Sequence, residues 1–321
     1  MSVLDVEHLA VSIATASGPL PVVRDISFRL DRGTTLGLVG ESGSGKSMTA
    51  LALMRLLPEI ATATGAVKLH GEDLLRADET RLCTLRGDRM AMVFQEPMTS
   101  LNPLHTVGDQ IAETLILHRG AERKAAFDEA ARLLDRVGIG NARARLGAYP
   151  HQLSGGQRQR VMIAMALACR PDVVIADEPT SALDVTVQAQ IIDLLRGLIG
   201  ETGMALILIS HDLGVIGRLA DRVMVMYGGA VMEEGDTRTV FTVRAHPYTQ
   251  GLFAALPSRG ARKGKRLAVI PGTVPPPDAL PPGCPFYGRC PRGQDVCRDN
   301  KPPAVTIDGS LARCFFPGPP T

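Results

Sequence analysis

Residues 40–47 read Gly-Glu-Ser-Gly-Ser-Gly-Lys-Ser, a complete G-x-x-x-x-G-K-[ST] phosphate-binding loop. Such a loop works only between a buried strand and a helix, so it dictates the local fold on both sides. The flanks comply. Thr35-Leu36-Gly37-Leu38-Val39 reads as a buried strand and Met48-Thr49-Ala50-Leu51-Ala52-Leu53 as a helix. Glycines at 40, 43 and 45 let the backbone curl until its N–H groups point inward at phosphate oxygens. The residues expected to line the phosphates are Gly40, Glu41, Ser42, Gly43, Ser44, Gly45, Lys46, Ser47 and Met48. Lys46 supplies a point charge for the β- and γ-phosphates, Ser47 a hydroxyl for Mg²⁺, and the helix N-terminus its partial positive charge.

The chain has 321 residues, room for one large domain or a domain with an appendage. Apolar residues make up 45% of it, and the mean hydropathy is +0.09, so a substantial core is available. A net charge of +2 argues against a nucleic-acid footprint, which is strongly basic. The N-terminal Met-Ser-Val-Leu-Asp-Val-Glu carries acids where a secretory leader needs an apolar run. The longest apolar stretches, such as Val161–Cys169, are too short to span a bilayer. A cytoplasmic chain is therefore expected, reaching a membrane by docking to another protein.

Residues 1–94 alternate strand-like runs with turns, including Val3–Ile13 and Val22–Leu30. Residues 95–170 are mostly helical, with helical spacing over Ile111–His118 and Arg123–Val137 and a stop at Gly138. Residues 171–256 return to alternation: Val173–Ala176, Val187–Ile199, Ala205–Ile209 and Val223–Tyr227. Alternation of this kind implies a largely parallel sheet covered by helices, an α/β fold. From 257 the chain becomes rich in Pro and Gly, with four cysteines, little periodicity and a basic stretch at Lys263–Arg266 that reads as a solvated linker.

Val173-Val174-Ile175-Ala176-Asp177-Glu178 is an apolar strand ending in two acids, delivered to the ligand edge of a parallel sheet. Asp177 would help hold Mg²⁺, and Glu178 would polarise an attacking water as general base. Taken alone, the same pair also reads as a strand-end cap before a proline-containing turn. Leu153-Ser154-Gly155-Gly156-Gln157 opens a helix, expected over Arg158–Ala168, whose N–H groups make a second anion site. One nucleotide does not need two such helix ends, so this one is expected to serve the nucleotide of a facing subunit.

Together these residues resemble the ATP-binding subunit of ATP-binding-cassette (ABC) transporters, over residues 3–256 at least. The resemblance implies a P-loop ATPase with a parallel-sheet core, an antiparallel β subdomain, a helical subdomain at about 95–170 and a small Cys-rich C-terminal appendage at 257–321. It also implies ATP and Mg²⁺ as ligands. In that family the Ser154-Gly155-Gly156-Gln157 element is the signature motif, acting across a dimer. Gln95 matches the Q-loop glutamine that senses Mg²⁺ and the attacking water. Ser181-Ala182-Leu183-Asp184 matches the D-loop, and His211 the switch histidine that contacts the γ-phosphate. Catalytic roles are thereby implied for Glu178, His211 and Gln95, and Mg²⁺ contacts for Ser47, Gln95 and Asp177. The other six histidines read as ordinary surface or core residues.

Glu96-Pro97-Met98-Thr99-Ser100-Leu101-Asn102-Pro103, Ala182–Gln188 and His246-Pro247-Tyr248-Thr249 are similar to the oligopeptide/dipeptide importer subfamily, which also takes up nickel complexes. Val161–Leu167 resembles its D-type ATPase. The subfamily implies two membrane-spanning permeases, a sister F-type ATPase or a second copy of the same chain, and an extracytoplasmic solute-binding protein. The implied place is the cytoplasmic face of the plasma membrane, peripherally. A soluble ABC ATPase without a permease is the alternative, as is an added metal- or redox-sensing role for the tail. The family usually stacks an aromatic ring on adenine near the end of the first strand. The matching position here is Ile13, and no Phe, Tyr or Trp occurs in residues 1–27, so weaker adenine discrimination is expected.

Cys284, Cys290, Cys297 and Cys314 are spaced C-x5-C-x6-C-x16-C. In a cytosolic chain such a group reads as metal ligands, not disulfides. The gaps are wide for a zinc finger. Some subfamily members that share Gly283-Cys284-Pro285-Phe286 and Arg289-Cys290 carry a [4Fe–4S] cluster, which the resemblance implies here, with zinc or free thiols as alternatives. Cys83 and Cys169 read as core filler.

Overall fold

The computed structural model describes residues 2–96, 100–181, 183–256 and 269–318. Pro97, Met98, Thr99 and Ala182 of the family segments, and the Lys263–Arg266 linker, lie outside the described residues. Among the described residues twelve strands run in chain order: β1 (Ser2–Thr15), β2 (Gly18–Asp31), β3 (Thr35–Val39), β4 (Ala61–Leu69), β5 (Glu72–Asp73), β6 (Met90–Val93), β7 (Val173–Asp177), β8 (Ala205–Ser210), β9 (Arg222–Tyr227), β10 (Ala230–Asp236), β11 (Ala304–Ile307) and β12 (Ser310–Arg313). The chain divides into two compact units, one of Met1–Asp5, Arg29–Thr35 and Lys68–Ile209, the other of Val6–Phe28, Leu36–Val67 and Ser210–Thr321. No helix of the described residues is long and apolar enough to cross a membrane.

In the first unit β6, β7 and β8 run parallel, with Val173 opposite both Met90 and Ala205. All five residues of β7 are buried, which is why Val173–Ala176 reads as an unbroken apolar run and not as an alternation. At the start of β7 the buried Asp172 carboxylate receives Arg32 (2.8 Å), His70 (3.0 Å) and Arg89 (2.9 Å). Helices Val107–Arg119, Arg123–Arg136 and Gly155–Leu167 form the helical part, burying Ile111 and Leu115, Ala130 and Leu134, and Val161 and Ile163. Thr106 caps the first of these by accepting the Asp109 N–H, and Gly120, left-handed at φ +62°, ends it.

In the second unit β3 runs parallel to β9, and β10 turns back antiparallel through Gly228-Gly229. The tail behaves differently from the irregular appendage read from its composition. Its last strands form a hairpin, Ala304 opposite Arg313, and β12 pairs antiparallel with β10, Glu233 opposite Ala312. The two-residue connection Asp308-Gly309 has positive φ at both positions (46° and 85°), as a type I′ hairpin turn needs. The Asp-Gly pair is the sequence signal for it. Glu233, fully buried, accepts the Ser310 hydroxyl (2.6 Å) and the N–H groups of Ala245 (2.8 Å) and His246 (2.9 Å). The tail thus needs no independent core, because it shares that of the unit it extends.

Candidate nucleotide-binding site

The phosphate loop sits in the second unit, between β3 and the helix Lys46–Leu53. Gly43 and Gly45 are left-handed, at φ +78° and +97°. At Gly40 a Cβ would fall 2.1 Å from the Met226 carbonyl oxygen, so no side chain fits. The buried Lys46 folds over the loop and donates to the Gly40 (2.8 Å) and Glu41 (3.0 Å) carbonyls and the Ser44 hydroxyl (3.3 Å). Gly45 caps the helix without a side chain, so no side-chain acceptor is spent on the first-turn N–H groups. Ser47 is exposed and Met48 half-buried. His211, in the same unit, is exposed just beyond Ser210, and Asp212 beside it caps Leu213–Leu219 through the Gly214 N–H (2.7 Å).

The acids lie in the first unit. Asp177 is the buried last residue of β7. Glu178 follows it with a left-handed backbone, φ +47°, its N–H donating to Ile209 (3.0 Å). A non-glycine residue held there is strained, and such strain clusters at working sites. The Gln95 side-chain amide donates to Glu178 Oε2 over 3.3 Å, so two residues 83 positions apart meet. The Glu178 carbonyl accepts both the Ser181 N–H (3.1 Å) and its hydroxyl (3.0 Å), which fixes the turn leading into the Ser181–Asp184 segment.

The helix at the glycine pair begins at Gly155, three residues before the expected Arg158. Ser154 accepts the Gln157 N–H (3.3 Å) while Gln157 Oε1 accepts the Ser154 N–H (3.0 Å), a reciprocal capping box. Gln157 therefore builds the helix end, and its N–H is not offered outward. Gly156 must be glycine because a Cβ there would lie 2.8 Å from Val187 Cγ1 of the next helix.

In the tail Cys284, Cys297 and Cys314 are buried and Cys290 is half-buried, and none forms a disulfide. Burial pushes the Cys284 thiol up to about 12, and the neighbouring Cys290, Cys314 and Cys297 add to the rise. Burial likewise raises Cys290 and Cys314, each with a contribution from other tail thiols. Among the described residues no three His, Cys, Asp or Glu side chains are gathered to hold a metal ion. The expected four-cysteine ligand set is thus present as donors but not drawn together, in surroundings that favour thiol over thiolate. Cys169 is buried as read, but Cys83 is exposed, because it falls on the outer face of the helix Glu79–Leu85 whose buried residues are Leu82 and Leu85.

Sequence reading missed four residues around the loop. Glu41 donates its N–H to the Tyr248 hydroxyl (2.9 Å), and its carboxylate accepts from Arg289 (3.1 and 3.0 Å). Tyr227, Tyr248 and Phe286 pack ring against ring beneath them, with centroids 4.8–5.2 Å apart. Tyr248 and Arg289 both stand in segments that carried the subfamily resemblance, yet nothing local to either points to residue 41.

Residues 23–181 match the family model described as ABC transporter, and residues 232–297 match that of the oligopeptide/dipeptide transporter C-terminal region. The chain is 49% identical over 314 residues to the oligopeptide transport ATP-binding protein OppD of Salmonella typhimurium, covering 98% of this chain and 93% of that protein. It is 45% identical to AppD of Bacillus subtilis, likewise named an oligopeptide transport ATP-binding protein, covering 98% and 97%. Among solved structures it is similar to the bacterial ABC transporter cassette MJ0796, determined as a dimer (TM-score 0.65, 28% identity, 73% of this chain and 99% of that one). A strained acid at the end of a buried strand, a glutamine donating to it and a full phosphate loop agree with these similarities: the chain belongs to the ABC transporter family, as one of its ATPase cassettes.

Proposed function

We propose that this chain binds and hydrolyses ATP to drive a membrane importer of di- and oligopeptides or related solutes such as nickel complexes. The observation that carries the reading is the Gln95–Glu178 hydrogen bond at the end of β7. It joins a residue able to sense a phosphate-bound metal and water to the carboxylate that would activate that water. The names of its near full-length relatives, oligopeptide transport ATP-binding proteins, support the peptide cargo.

Lys46 and the loop N–H groups would hold the β- and γ-phosphates, and Ser47, Gln95 and Asp177 the Mg²⁺. Glu178 would act as general base and His211 would contact the γ-phosphate. Ser154, Gly155 and Gly156 of a facing subunit would close over the nucleotide, a reading supported by the dimeric form of the related cassette. The catalysis is mostly positioning and electrostatic stabilisation of the transferring phosphoryl group. Two permeases would dock on the cassette near Gln95 and the 97–120 segment. The facing subunit would be an F-type sister or a second copy, and the complex would work at the cytoplasmic face of the membrane with a solute-binding protein outside.

Purification of tagged Glu178→Gln protein with ATP from detergent-solubilised membranes tests this. Recovery of two permeases, a sister ATPase and a binding protein is expected. Recovery of soluble partners alone would replace the importer with a permease-free ABC ATPase.

The tail metal is a separate proposal, supported by four tail cysteines free of disulfides and near enough to one another that Cys290, Cys297 and Cys314 add to the rise at Cys284. A [4Fe–4S] cluster would cross-link the tail, and zinc is the alternative. Iron and sulfide analysis of anaerobically purified protein decides: stoichiometric zinc without iron removes the cluster. At the adenine, half-buried Ile13 would cover the base without stacking on it. Ile13→Tyr should tighten ATP relative to GTP, and unchanged affinities for both would end that argument.

A further inference from the structure

We infer that the C-terminal tail shapes the phosphate loop, with Arg289 as a positioning residue acting through Glu41. The inference rests on the nucleotide-binding reading of that loop. The Arg289 side chain is only 7% exposed, although it carries a permanent charge. Its guanidinium is held on every side. Nε donates to the Pro271 carbonyl (2.8 Å), and Nη2 to those of Ile270 (3.3 Å) and Gly272 (3.3 Å). Nη1 is left to meet both Glu41 oxygens and the Tyr227 hydroxyl (3.3 Å). Three tail carbonyls fix the plane of the fork, so it meets Glu41 in one geometry, as a mobile surface arginine would not.

Glu41 is the second residue of the phosphate loop, and its carbonyl is one of the acceptors of Lys46. With its N–H on Tyr248 and its carboxylate on Arg289, its peptide and side chain are both set from outside the loop. A second route runs parallel. Ser44 accepts the Gly229 N–H (3.1 Å), and a Cβ at the adjoining Gly228 would meet Pro285 at 2.9 Å and Leu280 at 3.0 Å. The tail therefore covers the turn that carries Ser44 as well as the rings that carry Glu41. Loop N–H groups bind phosphate only when they converge, so loosening either support should weaken the nucleotide through its phosphates.

The test uses the full chain and a double-mutant cycle of Arg289→Ala and Glu41→Ala, with Arg289→Lys beside it. MgATP affinity is read by calorimetry, and kcat and KM by phosphate release. Arg289→Ala should weaken MgATP roughly tenfold, the size of one charge-assisted hydrogen bond. KM should rise with kcat little changed, and the double variant should be no worse than Glu41→Ala alone. Arg289→Lys keeps the charge without the fork and should recover only part of the affinity. MgATP affinity equal to wild type in the single variants, or losses that multiply in the double, would overturn the inference. If Arg289→Ala does not fold, the cycle is run with Arg289→Lys under the same criterion. Wild-type protein that fails to bind MgATP would instead remove the nucleotide reading on which the inference stands.

Discussion

The side-chain amide of Gln95 and the carboxylate of Glu178 meet over 3.3 Å, at a point where the Glu178 backbone is left-handed. The contact orients the carboxylate just beyond the end of the buried strand β7. Glu178→Gln should therefore leave MgATP binding within about twofold and lower turnover by at least ~100-fold, the range of general-base removal. Single-turnover phosphate release with radiolabelled ATP measures it. Normal turnover would take Glu178 out of the reaction.

Gly40→Ala should cost the loop its shape. The added carbon would lie 2.1 Å from the Met226 carbonyl, a backbone atom that cannot swing aside. We expect about 2–3 kcal/mol of lost stability together with loss of MgATP binding. Denaturant unfolding and calorimetry check the two parts, and wild-type values for both would contradict so close an approach of β9 to the loop.

His246 carries a pH prediction. Burial depresses its folded pKa to about 3, while an unfolded histidine titrates near 6.5. Below 6.5 the unfolded chain binds a proton that the folded chain refuses, so His246 removes stability as pH falls, by about 1.4 kcal/mol per unit between 6.5 and 3. Above 7 it contributes nothing. His246→Asn retains a polar acceptor for the Tyr248 N–H, now taken by His246 Nδ1 at 3.0 Å, and removes the titration. Its stability should fall less steeply from pH 6 to pH 4, and an unchanged slope would show that His246 is protonated in the fold.

Thiol reactivity should rank by burial. Cys83 is exposed, whereas burial holds Cys169, Cys284, Cys290 and Cys314 protonated. A maleimide at pH 7 should label Cys83 at least ~10-fold faster than Cys284 in the folded chain. Peptide mapping by mass spectrometry reads the order, and rapid labelling of Cys284 would mean that the tail is open in solution.

Removing the Ser310 hydroxyl should loosen the tail. Ser310→Ala deletes one hydrogen bond to buried Glu233, worth about 1 kcal/mol. Glu233→Ala strands the N–H groups of Ala245 and His246 as well, and should cost about 3 kcal/mol. Faster proteolysis of the chain beyond residue 300 should follow the same order.

Local chemistry determined much of this molecule. The phosphate loop, the buried strand ending in Asp177-Glu178 and the capped helices are legible because each rests on neighbours within a few residues: glycines that accept a left-handed backbone, apolar runs, and side chains such as Thr106 and Ser154 that cap their own helices. The tail is marked locally only at the Asp308-Gly309 turn. Its composition is that of a loop, and its hairpin acquires a reason to form only when β12 finds β10 and Ser310 finds Glu233. Tertiary structure alone decided that Gln95 meets Glu178 and that Arg289 meets Glu41, 248 positions away. A buried guanidinium needs acceptors from several segments at once, and no pattern along one segment records where the others will be.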